Sequence, residues 1–385
     1  VLRNAKDEIS EIIHNVAVTI YEFSEVAFEE RKSAAYLADL LESFGFSVMR
    51  GYCEMPTSFR AEMRGSRPGP TVALIAEYDA LPKIGHACGH NLISAGTVGA
   101  ALALKPVMEN LPGKVVVIGA PAEESGGGKV FLVERGAFKD VNVAIIAHPS
   151  NRTCVAARAL AWEPLRVKFF GKPAHAGSSP HEGVNALNAM IETFNSINAL
   201  RQHVTSDVRV HGIITHGGDA VNVVPAFTQA DFLVRAGTVE RLAEIVKKVK
   251  ACAEGAALST GTTVEFERTG PIYEPFKGNQ PLEQAMARNL EAVGVPYSMG
   301  DSQVNMGSTD VGNVSQTIPA LHPLYAICGP EVVGHTPDFA RASVSEFAFE
   351  RTRDMAVSMA LTCIDVLCDA ELLKRIKEAF KTSSQ

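Results

Sequence analysis

Ile84-Gly85-His86-Ala87-Cys88-Gly89-His90-Asn91 sets two imidazoles and a thiol within five residues, between glycines. Thiolate and imidazole are donors that zinc accepts, so Cys88 and His90 suit half of a metal site. An extended backbone would turn both side chains the same way, and Gly85 and Gly89 open angles that other residues resist. The competing reading of so short a motif is a buried cysteine beside helix-capping polar groups. Three further stretches offer donors: Ala120-Pro121-Ala122-Glu123-Glu124-Ser125-Gly126-Gly127-Gly128, His148-Pro149 and Gly334-His335-Thr336-Pro337. Cys88, His90, Glu124, His148 and His335 together make a nitrogen, oxygen and sulfur set that Zn2+ or Mn2+ accepts. Five donors exceed one tetrahedral site. Two ions ~3.5–4 Å apart, sharing a ligand, fit better.

Glu123 beside Glu124 allows one carboxylate to bind metal while its neighbour takes a proton from water, the two tasks a metal-assisted hydrolysis needs. Taken alone, such a pair is more often a solvated helix start, and His148 alone is a structural imidazole. Ser125-Gly126-Gly127-Gly128-Lys129 fails as a phosphate loop, because Val130 stands where Ser or Thr would bind magnesium; its glycines are expected to let the chain turn behind the glutamates. Farther on, His175 in Ala174-His175-Ala176-Gly177 can donate to a developing oxyanion. Asn222 and Arg235 can hold a substrate carboxylate. His211 and His216 read equally well as sheet-surface polarity.

The elements that must position these groups follow from periodicity. Helices are expected over 4–24, 30–44, 92–108 and 127–135. Strands are expected over 46–49, 59–63, 71–76, 114–119 and 143–147, the last three apolar enough to be buried on both faces. This alternation predicts an α/β fold with a mostly parallel sheet flanked by helices. From Trp162 the pattern changes. Strands at 165–170, 211–215, 226–235 and 263–267 alternate with period two, around helices at 183–202 and 239–258, the latter capped by Thr238. That order, β-α-β-β-α-β, is an antiparallel sheet with helices on one face. We therefore expect a larger domain of residues 1–162 and 271–385 and a smaller α+β domain of residues 163–270 inserted into it. The tail resumes helices, with a strand near 324–328.

The 385 residues carry 36 basic and 43 acidic side chains, without the basic runs of a nucleic-acid binder. No apolar run reaches the ~20 residues of a membrane span, and the polar start is unlike a secretory signal. The chain begins with Val1, from which an earlier segment is expected. Seven irregularly spaced cysteines argue against a disulfide framework and for a reducing, cytoplasmic setting. Cys363 and Cys368 read as small hydrophobes of a helix.

In combination and order, these stretches resemble the aminoacylase and carboxypeptidase family of two-metal peptidases (peptidase family M20), in its amidohydrolase branch. The motifs are Glu77-Tyr78-Asp79-Ala80-Leu81-Pro82, His86-Ala87-Cys88-Gly89-His90-Asn91, Pro121-Ala122-Glu123-Glu124, Ala147-His148-Pro149, Ala174-His175-Ala176, Asn222-Val223-Val224-Pro225 and Gly334-His335-Thr336-Pro337, spread over about residues 10–360. The resemblance implies two Zn2+ or Mn2+ ions on Cys88, His90, Glu124, His148 and His335, with Glu123 as catalytic base. It implies that Asp79 orients the site and that Glu77 replaces a histidine ligand, which leaves open the ligand that bridges the metals. It implies a lid that pairs two copies of the chain into a homodimer. Asn91 departs from the aspartate of bacterial hippurate and auxin-conjugate hydrolases. Together with Gly307–Ser315, it is closer to the β-alanyl-lysine dipeptidase group and to the p-aminobenzoyl-glutamate hydrolases. The implied activity is hydrolysis of dipeptides or N-acyl amino acids, with the dipeptidase favoured. A non-catalytic metal-binding scaffold is the rival from another class, and the retained Glu123 speaks against it.

Overall fold

The computed structural model describes residues 5–300 and 307–382. In chain order its strands are β1 (Ser47–Arg50), β2 (Phe59–Arg64), β3 (Arg67–Ala76), β4 (Pro112–Gly119), β5 (Val143–Ile145), β6 (His148–Ser150), β7 (Ala161–Phe170), β8 (Arg209–His216), β9 (Phe227–Ala236), β10 (Thr263–Arg268), β11 (Ala320–Leu321) and β12 (Leu324–Ala326). Its α-helices are α1 (Ala5–Phe23), α2 (Arg31–Ser43), α3 (His90–Met108), α4 (Gly128–Glu134), α5 (Ala186–Leu200), α6 (Val239–Thr260), α7 (Gln280–Val293), α8 (Val311–Thr317), α9 (Pro337–Ala342), α10 (Glu346–Cys368) and α11 (Ala370–Thr382).

The chain divides into two compact units. The larger comprises Val1–Arg158, Phe276–Asn305 and Thr309–Gln385. Its sheet has the order β1-β2-β4-β3-β5-β11. The β4-β3, β3-β5 and β5-β11 pairings are parallel, and β1-β2 and β2-β4 antiparallel. Val72–Ala76 and Val115–Ile118 are buried, as strands covered on both faces require. Helix α3 packs against α1, α10 and the sheet. It is long and apolar enough to cross a membrane, which corrects the expectation that no stretch is; 83% of its 18-residue window is buried inside the protein, as befits a core helix. The single strand expected over 143–147 is not formed. The run ends at Ile145, and β6 pairs in parallel with β12 as a separate two-stranded ribbon. Cys363 is buried in α10, whereas Cys368 at its end is exposed.

The second unit comprises Ala159–Pro275 and Met306–Ser308. It extends beyond 163–270 on both sides, because β7 begins at Ala161 and Trp162 is paired with both Arg235 and Tyr273. Its sheet, ordered β10-β7-β9-β8, is antiparallel throughout. Strand β9 alternates buried and half-buried residues along its length. The buried set, including Leu165, Val167, Phe232 and Val234, packs with Met190 of α5 and Ile245 and Val249 of α6. Thr238 caps α6 by accepting from Arg241 N–H at 3.1 Å.

Candidate metal centre

The metal-type side chains of the larger unit come from strand ends and the turns beyond them, where open α/β sheets build their sites. Strand β3 delivers Glu77 and Asp79, and β6 opens on His148. Helix α3 opens on His90, with Gly89 before it at φ +80°. Cys88 and His90 are therefore not in an extended segment, as the sequence suggested; the turn into the helix brings them together. His86 is not part of the site: its Nε2 lies 2.9 Å from Ile20 O, and burial pushes its pKa down to about 4. Asn91 is also structural, donating to Ala17 O and Ser343 O.

His335 and Ala122 hold positive φ values of +63° and +60°, rare for residues with side chains. His335 is pinned by its N–H donating to Ala87 O at 2.8 Å, and Thr336 caps α9 directly after it. Ala122 O accepts from Gly126 and Gly127, and a side chain at Gly128 would meet Pro121 O at 1.9 Å. The glycines thus close a tight loop that presents Glu123 and Glu124.

Among the described residues, potential ligand atoms cluster in three groups, each within 4.8 Å: Cys88, His90 and His148; Cys88, Glu124 and His335; His90, Glu123 and Glu124. Cys88 is common to the first two. Its Sγ lies 3.4 Å from His148 Nε2, and His335 Nε2 lies 3.4 Å from Glu124 Oε1. His90 Nδ1 donates to Asp79 Oδ1 at 3.0 Å, while Asp79 Oδ2 accepts from Glu124 N–H at 3.0 Å. One buried aspartate thus orients two donors, the arrangement that fixes a ligand histidine's tautomer. His148 Nδ1 lies 2.6 Å from Pro149 O, leaving its Nε2 facing the cluster too.

The fit to divalent ions rests on His90 Nε2. It is buried and, among the described residues, without a hydrogen-bond partner, with Glu77, Glu124 and Glu123 oxygens 3.5, 3.8 and 3.9 Å away. A lone pair facing three carboxylates is stable only with a cation between them. Without metal that cation is a proton: burial opposes it, yet Asp79 and Cys88 raise His90 well above the ordinary histidine range. Burial and Glu124 push the Cys88 thiol well up, so a metal is what would hold it as thiolate. The two glutamates are driven apart. Burial, Glu124 and Glu77 raise Glu123 well above the carboxylate range. Burial also acts on Glu124, but His335 and His90 hold it below that range.

Glu30 steadies the loop by accepting from Ala122 N–H at 2.8 Å. Burial, then the charge of Asp79, pushes Glu30 up from 4.5 to about 7. Between those values the folded chain keeps a proton that the unfolded chain has lost. Stability of the metal-free protein therefore falls as pH rises from 4.5 to about 7, by on the order of 3 kcal/mol, and levels off above. Glu30→Gln keeps an acceptor for Ala122 and removes that slope. Urea unfolding of both chains at about pH 5 and about pH 8 checks this. The parent should weaken at the higher pH relative to the variant; the same pH dependence in both would contradict it.

The smaller unit holds the other residues singled out by sequence. His175 Nδ1 accepts from Gly177 and Ser178 N–H at 3.2 and 3.1 Å, so its proton sits on Nε2. Ala176 N–H donates to Asn222 O, which joins the two loops. Arg235 is elsewhere, stacked over Trp162 at 5.4 Å. It lies eight residues along β9 from Phe227, about 26 Å at strand rise, while the Asn222 loop adjoins the Phe227 end. The structure therefore does not bring Asn222 and Arg235 together in one chain.

Sequence reasoning missed three buried residues beside the cluster. Lys129 Nζ lies 2.6 Å from both Glu77 Oε1 and Asp310 Oδ1, and Asp310 Oδ2 accepts from Lys129 N–H at 2.9 Å. His322 sets its ring edge-on to His148 at 5.7 Å, and burial pushes it down to about 3. The signal was there for Lys129, a charge heading the apolar run Val130-Phe131-Leu132, but its partners are remote in sequence.

A Cys, His and Glu cluster at strand ends of a helix-flanked sheet, with an α+β unit inserted, defines a metal-dependent hydrolase of peptide or other amide bonds. The sequence matches Peptidase family M20/M25/M40 over residues 73–349, and the chain belongs to that family. It is 37% identical to the Xaa-Arg dipeptidase of Mus musculus over 393 residues, covering 98% of this chain and 91% of that protein. It is 37% identical to a p-aminobenzoyl-glutamate hydrolase chain of Escherichia coli over 310 residues, covering 73% of this chain and 62% of that protein. In structure it is similar to a dinuclear metal binding peptidase of the M20 family from Bacillus subtilis, with TM-score 0.70 and coverage of 93% and 99%. The 20% identity to that structure carries the fold alone.

Proposed function

We propose that this chain is a dipeptidase that releases a cationic C-terminal residue such as arginine, using two divalent ions on Cys88, His90, Glu124, His148 and His335. The observation that carries the reading is the sharing of Cys88 between two donor groups, in a chain similar along almost its whole length to an Xaa-Arg dipeptidase. The thiolate and imidazoles suit zinc, and the carboxylate also accepts manganese. Bound ions would lower the pKa of a water and polarise the amide carbonyl. Glu123, the carboxylate that favours a proton, accepts one from the attacking water and returns it to the leaving nitrogen. Asp79 keeps His90 and Glu124 in place. His175, with its proton on Nε2, donates to the oxyanion, and Asn222 and Arg235 bind the substrate carboxylate. Seven free thiols accord with a reducing compartment such as the cytoplasm. A second reading, hydrolysis of p-aminobenzoyl-glutamate or another N-acyl amino acid, is favoured by the likeness to the Escherichia coli hydrolase. Turnover by metal-reconstituted protein on Xaa-Arg and Xaa-Lys dipeptides, N-acyl amino acids and p-aminobenzoyl-glutamate decides. Preference for an acyl-glutamate would overturn the dipeptidase, and no turnover on any would favour the scaffold.

The homodimer forms through β8, an open edge strand with exposed Ile213 and Ile214. A dimer also answers the separation along β9, since Arg235 of one copy and His175 with Asn222 of another can serve one substrate. Ile213→Glu should convert a dimer to a monomer in light scattering and reduce turnover. A variant that stays dimeric would place the interface elsewhere, and a parent chain that is already monomeric would remove the dimer.

A further inference from the structure

The buried ion triad of Lys129, Glu77 and Asp310 is assigned neither metal, water nor substrate in the reaction as derived above. All three side chains are 0–1% exposed. Asp310 grips both the backbone N–H and the ammonium of Lys129, so the cation is fixed from two directions. The ammonium in turn engages Glu77 Oε1 at 2.6 Å. Glu77 Oε2 is 3.5 Å from His90 Nε2. That is nearly the 3.4 Å spacing of two donor pairs in the cluster, Cys88 with His148 and His335 with Glu124. Glu77 nonetheless belongs to none of the three donor groups. It is a carboxylate one small swing from becoming a ligand, held back by a lysine.

We propose that Lys129 is a positioning residue that restrains Glu77 and so keeps one coordination position open on the ion held by Cys88, His90 and His148. Three protein ligands and an open position are what a catalytic zinc needs, whereas a fourth protein ligand closes the site. Lys129 thus gives up metal affinity to preserve access for water and substrate. The proposal rests on the two-ion reading. A simple structural brace would lose both affinity and turnover when removed. A restraint predicts the opposite signs: tighter metal and slower turnover.

The experiment titrates Zn2+ into the metal-free full chain against a competing chelator and measures turnover on an Xaa-Arg dipeptide. Lys129→Met is expected to bind one ion ~10-fold or more tighter than the parent, the scale on which groups around a metal ligand act, and to lose turnover. Lys129→Met with Glu77→Gln should return toward parent affinity and recover turnover, because the competing carboxylate is gone. Lys129→Arg, which keeps a cation, should stay near the parent in affinity. If Lys129→Met alone does not fold, Lys129→Met with Asp310→Asn keeps the triad's charge balanced and should show the same tight ion. Unchanged or weaker zinc binding in whichever of these two variants folds would overturn the proposal. A parent chain that takes up fewer than two ions would instead remove the reading beneath it.

Discussion

Glu123→Gln will retain its metal and lose turnover by ~10²–10⁴-fold, the usual contribution of a general base. The substitution removes a proton acceptor and almost no volume. Glu123 is set apart by its surroundings: burial and the charges of Glu124 and Glu77 favour its protonated form, while His335 and His90 keep Glu124 ionised. Carboxylates driven apart in this way take different tasks. Glu124→Gln should therefore fail differently, with weakened metal uptake, because an amide is a poorer ligand than a carboxylate. Metal analysis and steady-state kinetics on both variants check this. Depletion in Glu123→Gln with full loading in Glu124→Gln would reverse the assignment. A fully loaded and fully active Glu123→Gln would move the base elsewhere, with Asp79 next to test.

Cys88→Ala will release both ions rather than one. The two donor groups that contain the sulfur each fall to two donors once it is gone, His90 with His148 and Glu124 with His335; the group of His90, Glu123 and Glu124 stays whole, but there Glu123 is assigned to proton transfer and not to metal. Outer partners alone alter metal affinity by 10–100-fold, so loss of a direct, shared ligand should cost at least ~10²-fold at both ions. His148→Ala, which touches one group, should lose one ion preferentially. Chelator-competition titrations of the two variants distinguish them. Loss of a single ion from Cys88→Ala would show that the sulfur is not shared.

The inserted unit was legible in sequence because its strands are amphipathic. Alternation along Phe227–Ala236 fixes both strand and face, and Thr238 marks the start of α6. The larger unit was legible where burial on both faces makes continuous apolar runs, as in Val72–Ala76. It was less so at 143–150, where one run serves two sheets and only pairing with 320–326 shows the break. Within the site, residue type singled out the donors, but their grouping depends on turns. Gly89 and the positive φ of Ala122 and His335 aim side chains in ways that periodicity does not register. Lys129 escaped because its partners stand 52 residues before and 181 residues after it, and a lone lysine ordinarily reads as solvated. Asn222 and Arg235 failed as a pair for the converse reason. Thirteen residues apart in sequence, they are separated by nearly the length of β9.

The mechanism turns on two ions sharing one sulfur. Anomalous diffraction from crystals of protein loaded with zinc or manganese, recorded at the metal edge, tests it most directly. Two peaks per chain are expected ~3.5–4 Å apart, one among Cys88, His90 and His148 and the other among Cys88, Glu124 and His335. A single peak, or two peaks of which only one lies against Cys88, would contradict it.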